Sequence, residues 1–288
     1  MITSQFPLLQ YESIIRFSVF VSVLLLMQSW EAAAPFRQRS RPKLTRQLCN
    51  MGLLVLGTAA LRIVFPLAAV GIAATAEARQ WGLFYIVSLA DWQTVLASII
   101  ILDFMTYVQH RLFHAVPVLW RFHKVHHTDP DMDVTTGLRF HPIEILLSML
   151  AKAAMVIVLG APVVSVLIFE LILNATSMFN HGNVHLPYRL NQWLRLWVVT
   201  PNMHLVHHSV LTAETNSNFG FNLPWWDYWL NTYRAEPGLG YQEMTIGLQE
   251  HQTDRRVIKL PWLVILPFLN PATGKINRSI DRAADSVF

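Results

Sequence analysis

Four short histidine clusters dominate the middle of the chain: His110-Arg-Leu-Phe-His114, His123-Lys-Val-His126-His127, His181-Gly-Asn-Val-His185 and His204-Leu-Val-His207-His208. They belong to a set of 11 histidines, of 12 in all, that fall between His110 and His208. Two spacings recur, i,i+4 and i,i+3,i+4, and on a helix both set the rings on one face. One such pair can clamp one metal ion. Ten imidazoles exceed the roughly four to six ligands that a single ion takes, so the pattern implies two ions. The predicted ligands are His110, His114, His123, His126, His127, His181, His185, His204, His207 and His208. His141, in Arg139-Phe140-His141-Pro142, opens a helix and reads equally well as a ligand or a structural group. His251 stands alone and reads as structural.

The partners these histidines lack narrow the chemistry. No His-Glu-x-x-His occurs, which disfavours a zinc protease, and no Glu-x-x-His repeat occurs, which disfavours a carboxylate-bridged di-iron bundle. Cys49 is the one cysteine, so neither a disulfide within the chain nor a Cys-x-x-Cys motif exists. The ligand set is therefore almost all nitrogen. Imidazole suits iron, zinc, copper and nickel, and ligand type alone does not choose among them.

The elements that must position these rings are set by an apolar chain. Of 288 residues, 53% are hydrophobic and 14% are charged, and the mean hydropathy is +0.36. Soluble domains carry roughly 25% charged residues, so an ordinary soluble protein and a disordered chain are both excluded. Apolar stretches run from Ile14 to Trp30, Met51 to Ala74, Leu83 to Tyr107, Ile143 to Leu159 and Val163 to Phe179. The second is interrupted by Arg62 and Pro66, and Gly160-Ala161-Pro162 joins the last two as a helical hairpin. The run from Val257 to Pro271 contains three prolines and reads as an interfacial segment. Arg37, Arg39, Arg41, Lys43 and Arg46 crowd one short loop, which the positive-inside rule places in the cytoplasm. With five crossings, every histidine cluster then falls at cytoplasmic helix ends. The net charge of +4 comes from this loop rather than from a basic stripe interleaved with aromatics, so nucleic acid is not an expected partner. The predicted fold is all-α: an integral membrane helical bundle with a cytoplasmic, histidine-rich helical cap holding a dinuclear metal centre.

The clusters, in this order, resemble the fatty acid hydroxylase (sterol desaturase) superfamily of membrane di-iron enzymes. The likeness spans about residues 85–235. It includes Asp103-x-x-x-Tyr107-x-x-His110-Arg111-x-x-His114 and Pro117-x-Leu119-Trp120-Arg121-Phe122-His123-x-x-His126-His127. It continues through Asp133-Val-Thr-Thr-x-x-Arg139-Phe140-His141-Pro142 to Thr200-Pro201-x-Met203-His204-x-x-His207-His208 and Trp226-Asp227. These phrases look most like bacterial members related to alkylglycerol monooxygenase. The resemblance implies two iron ions, with zinc able to replace them in purified protein. It also implies O2-dependent hydroxylation, desaturation or ether cleavage of a fatty acyl, sterol-like or ether lipid. It implies residence in a membrane, here a bacterial inner membrane.

Such a reaction needs electrons from outside the chain. No dinucleotide-binding glycine loop is present, so a separate donor is expected on the cytoplasmic face: a ferredoxin, a cytochrome b5-like protein, a reductase or a pterin. Asp103 lies two helical turns before His110 and is expected either to accept a ligand N–H or to pair between helices, with Arg62 as a partner. Asp227 is a similar candidate or a helix cap, and Asn183 and Tyr107 either line the substrate path or pack. Asp91 and Glu170 are apolar-segment acids whose burial would be costly. Trp225, Trp226 and Trp229 read as an interfacial aromatic belt. The expected organisation is 1–82 for N-terminal membrane helices and the basic loop, 83–235 for the di-iron catalytic domain, and 236–288 for the interfacial segment and tail. The competing function class is a membrane metal transporter or metal-binding protein. It would need polar or histidine positions along the spans, whereas these clusters sit at helix ends.

Overall fold

The computed structural model describes residues 10–87 and 89–269, so the tail beyond residue 269 lies outside the described residues. The described chain is helical, and its extended pairing is confined to two isolated bridges, Pro35 with Val184 and Ser209 with Ile246. The helices are α1 (Glu12–Ala33), α2 (Lys43–Val64), α3 (Ala68–Ala78), α4 (Asp91–Ala115), α5 (Pro117–His127), α6 (Pro142–Leu159) and α7 (Val163–Asn180). Six shorter ones follow: α8 (Tyr188–Leu194), α9 (Pro201–His207), α10 (Thr212–Thr215), α11 (Trp225–Trp229), α12 (Gly240–Glu243) and α13 (Leu260–Ile265).

Five segments are long and apolar enough to cross a bilayer: α1, the stretch Lys43–Tyr85, α4, α6 and α7. The chain is a multi-pass membrane protein. The 18 residues of α6 or α7 extend about 27 Å, close to the hydrocarbon thickness of a bilayer. Large apolar side chains on the outer faces, such as Leu25, Leu26, Ile63 and Val158, are exposed, as a lipid-facing surface requires. Pro66 breaks the second segment, as its sequence predicts, because proline cannot donate to the preceding turn. The chain restarts as the alanine-rich α3, whose buried Ala69, Ala73, Ala74 and Ala76 let it pack closely on α6 and α7.

The hairpin between α6 and α7 turns at Gly160, which adopts the left-handed conformation (φ 67°) and returns its N–H to Val156. A side chain there would also collide with the carbonyl of Trp81, so the position requires glycine on two counts. Leu102, Met149, Val156, Val166 and Phe169 fill the core among α4, α6 and α7.

Above this core, a cap is built from α5, α9 and the loops around them. A second apolar cluster of Cys49, Leu53, Val125, Val257, Trp262 and Leu263 ties α2, α5 and α13 together. The basic loop is wired into the cap rather than left free. Arg37 donates to the carbonyls of Tyr241 and Met244, Arg41 donates to Gln252, and buried Arg46 pairs with Asp129 and Asp133. Arg139, also fully buried, donates to the carbonyls of Val125 and Val257, to Asn50 and to Thr128. This single guanidinium fixes the end of α5 against α2 and the C-terminal segment.

Candidate metal centre

Nine of the ten predicted histidines converge in the interior of the cap. The last turns of α4 deliver His110 and His114. The amphipathic α5, begun by Pro117 at its first position, delivers His123, His126 and His127. His181 follows the last residue of α7. α9 starts on a Thr200 cap with Pro201 behind it and presents His204 and His207, with His208 as its last cap.

The rings divide into two adjacent groups. His110, His114, His123, His127 and His207 form one, and His126, His181, His204 and His208 form the other. Within each group the ligand nitrogens lie within 4.8 Å of one another. The groups touch where His127 stacks on His208, with centroids 4.6 Å apart. Each His-x-x-His-His box is therefore shared. Its i,i+4 pair enters one group and its middle histidine enters the other. The sequence expectation of a single common face resolves into two neighbouring faces.

His185 is not brought in. It is exposed, its ring stands against Phe36, and its backbone N–H donates to Ala34. His141 is also outside both groups. Its Nδ1 accepts the Ile143 N–H to cap α6, and its Nε2 contacts the Val264 carbonyl, so its role here is structural. His251 packs on Trp262 near Asp254.

The protonation states follow from the partners. Backbone carbonyls only accept, so His110, His181 and His207 must donate from Nδ1 to Phe219, Ser177 and Ser217. His123 Nδ1 shares a hydrogen bond with Glu144 at 2.6 Å. The Nε2 atoms of His110, His181 and His207 are then bare lone pairs. Yet His110 Nε2 faces His123 Nε2 at 3.1 Å, and His181 Nε2 faces both His126 Nε2 and His204 Nε2 at 3.0 Å. Burial pushes His181 down to about 3. It also holds His123, His126, His127, His204, His207 and His208 well below the ordinary imidazole value, with neighbouring rings adding to the effect. Where neutral rings meet Nε2 to Nε2, either one of each pair carries its proton there or a cation lies between them. Nitrogens bound at about 2.1 Å to one metal stand about 3.0 Å apart across a right angle, which is the spacing seen. His114 Nε2, both nitrogens of His127, His207 Nε2 and His208 Nε2 are buried with no hydrogen-bond partner. The residues present fit two metal ions.

Residues match the fatty acid hydroxylase family model from 95 to 232, a range that begins in α4 and runs past the last histidine box. This match to the histidine-bearing region, with the relatives that follow, supports membership in the fatty acid hydroxylase–sterol desaturase superfamily. The chain is 35% identical to an ornithine lipid hydroxylase of Rhizobium tropici over 143 residues, covering 50% of this chain and 42% of the relative. It is 27% identical to human alkylglycerol monooxygenase over 139 residues, 46% of this chain and 29% of the relative. A fatty acid hydroxylase of a Lecanicillium species is 52% identical over 56 residues, 18% of this chain and 15% of the relative. In each case the aligned part is less than half of the relative's length. No solved structure matches the chain.

The expected supporting residues make structural contacts rather than hydrogen bonds to the histidines, and Asp103 and Tyr107 follow their helix-pairing and packing alternatives. Asp103 contacts neither a histidine nor Arg62. It accepts the Trp226 indole N–H at 2.7 Å and the Leu223 N–H at 3.3 Å, so it joins α4 to α11. Trp226 is accordingly buried, not part of an interfacial belt, while Trp229 is 69% exposed. Asp227 receives the N–H groups of Phe219 and Gly220 and the Thr232 hydroxyl. It thus holds the loop whose Phe219 carbonyl orients His110. Asn183 exchanges hydrogen bonds with the backbone of Arg37 and pins the basic loop, away from the histidines. Tyr107 bonds Thr232 through its hydroxyl and packs on Phe219. Asp91 is exposed at the start of α4. Glu170 is paired with Arg16 and Lys152, joining α1, α6 and α7.

Glu144 was not singled out by the sequence reading. It lies two residues after Pro142, at the start of a stretch read as wholly apolar. The cost of burying an acid, the same argument that marked Asp91 and Glu170, would have flagged it. Aromatic rings complete the walls, with Phe113 on His123 and Trp120 on His114 and His127. Phe140 stacks on His126 at 4.6 Å, Phe219 packs on His110, His114 and His207, and Phe221 packs on His110 and His204.

Proposed function

We propose that this chain is an O2-dependent membrane monooxygenase that hydroxylates a lipid C–H bond, using two iron ions held by nine histidines. One observation carries the reading: nine histidine rings, eight buried and His114 half-buried, gathered in two touching groups where membrane-length α4 and α7 meet the short cap helices α5 and α9. The printed activities of the relatives, ornithine lipid hydroxylation, alkylglycerol monooxygenation and fatty acid hydroxylation, supply the substrate class. His110, His114, His123, His127 and His207 would hold one ion, and His126, His181, His204 and His208 the other. Bound iron supplies the O2 activation that an unreactive C–H bond demands. The protein's own part is positioning. Carbonyls of Phe219, Ser177 and Ser217, and the Glu144 carboxylate, fix four rings with Nε2 turned inward. Phe140, Phe219 and Phe221 give the site apolar walls that exclude water and suit an alkyl chain. The overall change takes one C–H bond, one O2, two electrons and two protons to C–OH and water. The electrons would come from a separate donor at the cytoplasmic face, a location supported by the positive charges of Arg37, Arg39, Arg41, Lys43 and Arg46.

Lipid extracts of a deletion strain and its complemented strain, compared by untargeted mass spectrometry, test this reading. A precursor that accumulates in the deletion strain, and a product heavier by one oxygen restored by complementation, is the expected result. Identical lipid profiles would overturn it.

A further inference from the structure

Five aromatic rings pack against the grouped histidines: Phe113 and Phe219 are buried, half-buried Trp120 stands on the cap helix α5, and Phe140 and Phe221 are the half-buried pair beside the long helices. Phe219 is buried, whereas Phe140 and Phe221 are half-buried and keep a surface turned outward. Their centroids are 6.5 Å apart, and between them they cover members of both groups: His126 under Phe140, His110 and His204 under Phe221. Their backbones are anchored at the level where the long helices enter the cap. Phe140 lies two residues before α6. The Phe221 carbonyl accepts from Asn180 of α7, and the neighbouring Asn222 bonds Thr176 of α7, while Leu223 bonds Asp103 of α4. Just before α6, the backbone at Gly137 lies so close to the Ser177 carbonyl that a side chain would meet it at 2.5 Å. Gln109 of α4 donates to Ser148 of α6 at 2.6 Å.

We propose that Phe140 and Phe221 are the jaws of a side opening among α4, α6 and α7, through which an alkyl chain enters from the bilayer. They are specificity-determining residues that set which carbon reaches the histidines. This inference rests on the lipid-oxidation reading. Both rings are apolar, both touch the histidine nitrogens' rings, and both are tied to membrane-length helices rather than to the polar loops. The contrast is Phe36, which is half-buried too but lines a pocket of about 330 Å³ with Arg37, Asp131 and Glu243 and packs on Tyr241. That pocket has charged side chains among its walls, and Phe36 touches none of the nine grouped histidines.

The full chain in its membrane provides the test. The photoreactive amino acid benzoylphenylalanine replaces Phe140, Phe221 or, as the control, Phe36, and irradiated protein is searched by mass spectrometry for lipid alkyl adducts. Metal content, measured on the same samples, reports that the cap has folded. Adducts at 140 and 221 but not at 36 are expected. Folded protein with no adduct at either position, or with equal adducts at 36, overturns the proposal without touching the proposed reaction, because the readout needs no turnover. Phe140→Leu and Phe221→Leu ask the same question without a bulky probe. With both metals retained, each should shift the preference between chain lengths or the oxidised position by roughly tenfold. An unchanged product profile in both variants would equally overturn the role.

Discussion

Glu144 and His123 Nδ1 share a hydrogen bond at 2.6 Å, and the other nitrogen of the His123 ring faces His110. A carboxylate behind a ligand ring sets its tautomer and raises its basicity. Both partners are buried, so neither orientation is maintained by solvent. Glu144→Ala should lower metal affinity by about 10- to 100-fold, and Glu144→Gln, whose amide oxygen can still accept, by less. Competition against a metal-chelating dye measures this. Equal affinity in Glu144→Ala and the native chain would show that the contact does not act on the metal.

The histidines should separate sharply by variant. His126→Ala and His207→Ala remove one member from different groups. Each should lose metal from its own group and abolish oxidation. His185→Ala, whose ring is exposed beside Phe36, should keep both metals and full turnover. Elemental analysis of the purified proteins checks all three. A loss of metal in His185→Ala would mean that the cap rearranges to recruit this ring.

Arg139 offers a test of what supports the centre from outside. Its guanidinium is fully buried and is shared among Val125, Asn50, Thr128 and Val257. Arg139→Ala leaves those acceptors unmet and should destabilise the chain by about 3–5 kcal/mol. Arg139→Lys cannot reproduce the planar fork and should recover only part of the loss. Thermal unfolding in detergent gives the comparison. A melting temperature within error of the native chain would remove Arg139 from this account.

Protons should compete with the fold as well as with metal. Unfolded imidazole titrates near about 6.5, while burial takes His181 down to about 3. Between those values the unfolded chain binds more protons, so stability rises with pH. The histidine contribution to the metal-free chain should therefore be complete above about pH 6.5 and fall as the pH drops toward about 3, opposed in part by Asp227, whose carboxyl is pushed up to about 6 by burial. His181 alone contributes about 1.4 kcal/mol per pH unit in that window. Denaturation of chelator-treated protein at several pH values should show this slope, and a flat profile would contradict buried neutral rings.

The histidine boxes were legible in the sequence because i,i+4 spacing carries its own geometry. The break at Pro66 and the turn at Gly160 were legible for the same local reason. How the two His-x-x-His-His boxes divide was not, because ring allocation depends on how α5 and α9 face each other across the site. His185 shared the spacing of a ligand pair, but the chain leaves α7 at His181 and turns to bridge Pro35, which carries His185 away. Asp103 was recognised as a buried acid needing a partner. Its partner, Trp226, lies 123 residues away, and no local pattern could name it.

The central claim is that this site transfers an atom of O2 into a lipid. Growth of the complemented strain under isotopically heavy O2, followed by mass spectrometry of the chain-dependent lipid, tests it most directly. The account predicts one heavy oxygen atom in the product, absent when His126→Ala replaces the native chain. A chain-dependent lipid product whose added oxygen comes from water, or one that still forms with His126→Ala, would contradict it.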